Sequence, residues 1–90
     1  MPEQLVTIVN RKGLHARSAA QLVAIAKQYP CKIQLQVADK TADCNSMMAL
    51  LMLAAGFDTK VNVYTRGPQE SEALEAICSL IAAGFGERDE

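Results

Sequence analysis

Residues 32–37 read Lys-Ile-Gln-Leu-Gln-Val, and this strict alternation constrains the fold more than any other stretch of the chain. Successive side chains of a strand point to opposite faces, so Ile33, Leu35 and Val37 go one way and Gln34 and Gln36 the other. A strand with one wet face belongs to a sheet covered on one side only. The pattern repeats over Lys60 to Arg66, where Val61, Val63 and Thr65 oppose Asn62, Tyr64 and Arg66. Leu5 to Asn10 is β-branched, with Val6 and Ile8 on a shared face. Asp39-Lys40 reads as a tight turn into a weak strand, Thr41 to Cys44.

Three other segments carry helical spacing. Ala16 to Tyr29 places Ala19, Leu22, Val23 and Ala26 on one stripe, and Pro30 stops it. Met47 to Leu53 follows Asn45-Ser46, two good capping residues, and is closed by Ala54-Ala55-Gly56. Glu70 to Ala83 gathers Ala73, Leu74, Ile77, Leu80 and Ile81, with Glu70 and Glu72 at its positive end and Gly84 beyond it. The order is βαββαβα, which predicts a two-layer α+β domain with the helices on one face of the sheet.

The 90 residues suffice for one domain, expected over 1–90. Half are hydrophobic and 4% aromatic, so the core is aliphatic. A net charge of −1 argues against a generic nucleic-acid binder. The longest apolar run, 47–57, falls well short of the roughly 20 residues that span a bilayer. Residues 1–4 lack the basic and apolar regions of a signal peptide, so a cytoplasmic protein without membrane insertion is expected. Cys31, Cys44 and Cys78 are an odd count at wide spacing, read as small core hydrophobes. With one His they complete no usual metal set, and no cofactor is expected.

That one histidine is the informative residue. In Asn10-Arg11-Lys12-Gly13-Leu14-His15-Ala16-Arg17-Ser18 a strand ends, Gly13 permits a turn, and a helix starts at Ala16. His15 falls at the N-cap, where oxygen-bearing side chains are preferred. If the backbone N–H groups of Ala16, Arg17 and Ser18 stay open, they form an anion site. Arg17 adds a forked cation suited to phosphate. A neutral imidazole there keeps a lone pair. The arrangement reads as phosphoryl acceptor plus receptor, or as an exposed histidine closing a loop.

Gly13-Leu14-His15-Ala16-Arg17-Ser18-Ala19 closely resembles the active-site motif of the HPr family, histidine-containing phosphocarriers of the bacterial phosphoenolpyruvate-dependent phosphotransferase system. Asn45-Ser46-Met47-Met48-Ala49-Leu50-Leu51-Met52 resembles the family's second signature, and Gly67-Pro68-Gln69-Glu70 also matches. The resemblance covers almost the whole chain. It implies an open-faced β-sandwich with a four-stranded antiparallel sheet and three helices on one face. It implies that His15 accepts a phosphoryl group from enzyme I on its δ nitrogen and passes it to IIA domains, with Arg17 stabilising the phosphate. Such a protein is a carrier rather than an enzyme, and a monomer is expected. Ser18 stands where the family usually has Pro. It is read here as an inert helix-starter, although its N–H and hydroxyl could also serve the site.

Ser46 or Asn45 caps the second helix. In some bacteria the matching Ser is a target of an HPr kinase, so Ser46 is a possible regulatory position. Met47, Met48, Leu51 and Met52 are too many large apolar residues for one buried stripe of a short helix, so they are expected to form a partner-binding patch. Arg11, Lys12 and Arg17 add charge suited to acidic partners. The resemblance extends to the nitrogen-related NPr branch, whose carriers donate to a regulatory IIA domain, and the residues leave that choice open. The order βαββαβ also occurs in RNA-recognition modules. Those need aromatic residues on central strands, and Thr41 to Cys44 has none.

Overall fold

In a computed structural model, which describes residues 2–86, the elements follow the expected order. They are β1 (Glu3–Thr7), α1 (Ala16–Ala26), β2 (Lys32–Val37), β3 (Lys40–Asp43), α2 (Met47–Met52), β4 (Lys60–Arg66) and α3 (Glu70–Ala82), then a 3-10 turn at Gly84–Gly86. Residues 1 and 87–90 of the expected domain lie outside the described residues.

The strands form one antiparallel sheet in the order β1-β4-β2-β3. Consecutive strands are therefore interleaved. β1 and β2 run parallel with β4 between them, and β3 and β4 run parallel with β2 between them. Each pair is joined by a helix, giving two split β-α-β units. This topology carries the chain out of β1 into α1 at the same end of the sheet where α2 leads into β4. The loop between β1 and α1 and the end of α2 meet there.

The alternation works as expected. Val6, Ile33, Leu35, Ala42, Val61, Val63 and Thr65 are buried under the helices, together with Leu22, Leu50, Ile77 and Ile81. The opposite face stays open. There Tyr64 donates its hydroxyl proton to Gln36 Oε1 (2.8 Å) and accepts from Asn62 Nδ2 (3.1 Å). Cys31, Cys44 and Cys78 are buried free thiols.

β3 spans Lys40–Asp43 rather than Thr41–Cys44, α2 and α3 each end one residue earlier than expected, and three further differences have clear causes. The β1 ladder covers Glu3–Thr7 rather than Leu5–Asn10. Ile8 stays buried but bonds to the loop before β4, donating to Thr59 O and accepting from the Asp58 N–H. α1 ends at Ala26 rather than Tyr29, because Gln28 and Tyr29 donate to carbonyls three residues back and tighten the chain into turns. The turn between β2 and β3 is Ala38-Asp39, with Ala38 at φ 55.

Candidate functional site

The site is built on the loop between β1 and α1. Asn10 is buried and donates from Nδ2 to Gly13 O at 2.8 Å. Gly13 has φ +67, and a Cβ there would stand 2.6 Å from Ala55 O and 2.7 Å from Gly56 Cα. The close approach and the left-handed backbone both require glycine. Leu14 is buried, and its N–H donates to Ala55 O at 2.7 Å. The loop is thus seated on the segment that follows α2.

His15 emerges from this support half-buried, as the N-cap of α1, with extended backbone (φ −131, ψ −173). Its Nδ1 accepts from the Arg17 N–H at 3.3 Å. The cap is reciprocal: the backbone N–H of Ser18 is directed to the His15 side chain, and the Ser18 hydroxyl accepts from the His15 N–H at 2.8 Å. This corrects two expectations. The Arg17 and Ser18 donors of the first turn are not left open, because imidazole nitrogen is itself an acceptor and does the work of a capping oxygen. Ser18 is not inert either, since its buried hydroxyl is a partner of the His15 backbone.

An amide N–H only donates, so Nδ1 meets it as an acceptor, and in the neutral ring the proton sits on Nε2. The arrangement therefore presents a nucleophilic nitrogen already aimed at helix-end donors. Arg11, Lys12 and Arg17 are exposed around it. No described helix is long and apolar enough to cross a membrane, and among the described residues no group of three or more His, Cys, Asp or Glu could hold a metal ion.

The second signature resolves in detail. Ser46, not Asn45, caps α2, accepting from the Ala49 N–H at 3.2 Å. The expected apolar patch is narrower than the sequence implies. Met48 and Met52 are 68% and 71% exposed, whereas Met47 and Leu51 are half-buried against the core. A six-residue helix lying on the domain with Leu50 fully inside turns its neighbours partly inward. Sequence reasoning missed Phe57, 61% exposed in the loop after α2, and the roles of Asn10 and Ala55. Contacts between residues 13–14 and 55–56 leave no local signal beyond the glycine at position 13. Two clefts lie elsewhere, one between β1 and α3 of about 580 Å³ and one on the open sheet face of about 280 Å³. His15 lines neither.

Comparison with known proteins places these features in a group. A family profile described as "PTS HPr component phosphorylation site" matches residues 2–83. The phosphocarrier protein HPr of Pseudomonas putida is 44% identical over 88 residues, 97% of this chain and 98% of that one. The phosphocarrier protein NPr of Shewanella violacea is 38% identical over 85 residues, 94% of this chain and 93% of that one. Among solved structures, HPr-C-His from Thermoanaerobacter tengcongensis superimposes with a TM-score of 0.92 at 33% identity, covering 98% of this chain and 99% of that one. An HPr dimer from the same organism aligns at a TM-score of 0.76 and 33% identity, over 97% of this chain and 100% of that one.

Proposed function

The chain belongs to the HPr family of phosphocarriers, proteins of the phosphotransferase system that carry a phosphoryl group rather than catalyse its transfer, and from that membership we propose that His15 is the acceptor. The observation that carries this reading is the 3.3 Å approach of the Arg17 N–H to His15 Nδ1. The Nδ1 lone pair attacks the phosphorus of phospho-enzyme I as the bond from phosphorus to the enzyme I nitrogen breaks. The backbone N–H groups of Arg17 and Ser18 then turn from the ring nitrogen to the phosphoryl oxygens, joined there by the Ala16 N–H, and the Arg17 guanidinium offsets their charge. Transfer onward reverses these steps on a IIA domain in the cytoplasm.

Docking uses Met48 and Met52, with Met47 and Leu51 at their inner margin, beside the cations Arg11, Lys12 and Arg17. One chain holds every group used, which supports action as a monomer. Ser46 is a second modification site, open to an HPr kinase. A phosphate there keeps its oxygens at the end of α2.

The test is incubation with phosphoenolpyruvate and enzyme I, followed by intact-mass and peptide spectrometry. One acid-labile phosphoryl group on His15 is expected, and none on His15→Ala. A fully phosphorylated His15→Ala protein would overturn the assignment. Offering the phosphorylated carrier to a sugar-specific IIA domain and to a nitrogen-related one separates the branches.

A further inference from the structure

We propose that Ser18 is a positioning residue for His15, its hydroxyl clamping the backbone so that Nδ1 reaches the donors of α1. The proposal rests on the reading of His15 as the acceptor. Ser18 is fully buried, and a buried hydroxyl must be satisfied. Its Oγ accepts from the His15 N–H at 2.8 Å and lies 3.1 Å from His15 O and 3.3 Å from Gly13 O, the two carbonyls its single proton can reach. One side chain thereby ties the loop at Gly13, the cap at His15 and the first turn of α1 together.

The need for a clamp follows from the geometry it serves. At 3.3 Å the contact from the Arg17 N–H to Nδ1 is at the long end for a hydrogen bond. A few tenths of an ångström more would end it. The extended backbone of His15 lies in a broad region of φ/ψ space that does not hold a residue by itself. The Ser18 hydroxyl supplies the restraint from below, and the Ser18 N–H acts on the ring from above. Keeping Nδ1 as the acceptor keeps the ring proton on Nε2, so the lone pair that reacts is the one facing the helix end.

Ser18→Ala tests this, since it deletes only the hydroxyl and places a good helix former in the first turn. In the full chain, nitrogen NMR of the imidazole is expected to show a smaller fraction of rings with the proton on Nε2. The rate constant for phosphoryl transfer from phospho-enzyme I is expected to fall about three- to tenfold, the loss of one hydrogen bond. KM for phospho-enzyme I should stay unchanged, because α2 and the exposed cations are untouched. Wild-type nitrogen shifts, or an effect on KM alone, would overturn the proposal. So would a slower rate with unaltered tautomers, which is what a merely structural residue gives. The nitrogen spectra need no phosphoryl donor. They judge the clamp independently of whether wild-type protein takes up phosphate, the result on which the His15 assignment stands or falls.

Discussion

At His15 the helix end and the side chain hold each other: the ring takes up first-turn donors and the helix orients the ring. Arg17 contributes to this through two separable groups, a backbone N–H directed at Nδ1 and an exposed guanidinium. Arg17→Ala keeps the first and removes the second. Phosphoryl transfer is expected to slow about 10- to 100-fold, the scale of a charge-assisted hydrogen bond, with stability changed by less than about 0.5 kcal/mol. Single-turnover kinetics and a thermal melt on one preparation check both. Cys44 behaves in the opposite way, as a group without a site. Burial, with Asp43 beside it, pushes its thiol up from 9.0 to about 12. The folded-state value lies above the unfolded one, so the stabilisation is complete below pH 9 and is lost as pH rises towards 12. Cys44→Ala is expected to remove a slope of up to about 1.4 kcal/mol per pH unit in that window, measurable by urea unfolding at pH 8 and pH 10.5. The place of His15 at the cap was legible because a strand end and Gly13 precede it and a helical stripe follows it. The role of Ser18 was not, because the same hydroxyl is equally common facing water at a helix start.

α2 shows how far periodicity reaches in a short element. Met48 and Leu51 lie three apart and share a face by spacing, yet Met48 is exposed and Leu51 is half-buried against the core. In six residues every side chain is near an end, and the tilt of the helix on its support decides burial as much as its phase does. Met48→Glu is therefore expected to leave the melting midpoint nearly unchanged and to weaken binding to enzyme I by about 1–2 kcal/mol. Leu51→Glu is expected to lower stability by about 1–3 kcal/mol, because part of the charge is forced against apolar neighbours. Melts and binding isotherms on the pair distinguish these outcomes, and equal midpoints would refute the difference in burial. The longer elements were better legible. The alternation in β2 and β4 and the stripe of α3 each present enough buried residues to fix their faces, whereas β1 gave up Ile8 to the loop before β4 and α1 tightened into turns at its end.

On the scale of the molecule, the order of elements was readable from the changing period, but the order of strands was not. Interleaving β1-β4-β2-β3 depends on pairings between residues far apart in the chain, such as Val6 with Val61 and Leu35 with Val63. It is this interleaving that brings Gly13 against Ala55 and Gly56. Gly13→Ala should therefore act on the whole protein as well as on its site. The added Cβ meets backbone at 2.6 and 2.7 Å in a left-handed conformation, and a loss of about 3 kcal/mol or more is expected in chemical denaturation. Transfer by the remaining folded fraction should also slow, because the loop can make room only by carrying His15 with it.

The seam between residues 13–14 and 55–56 makes the carrier an interchangeable part. On the proposed reading, a socket that grips α2 would also receive the histidine at a set depth and angle, because the loop that bears it is bolted to the segment after that helix by the Leu14 N–H and Ala55 O. The tolerance of such a coupling would be held in one small backbone rather than in the machines on either side of it.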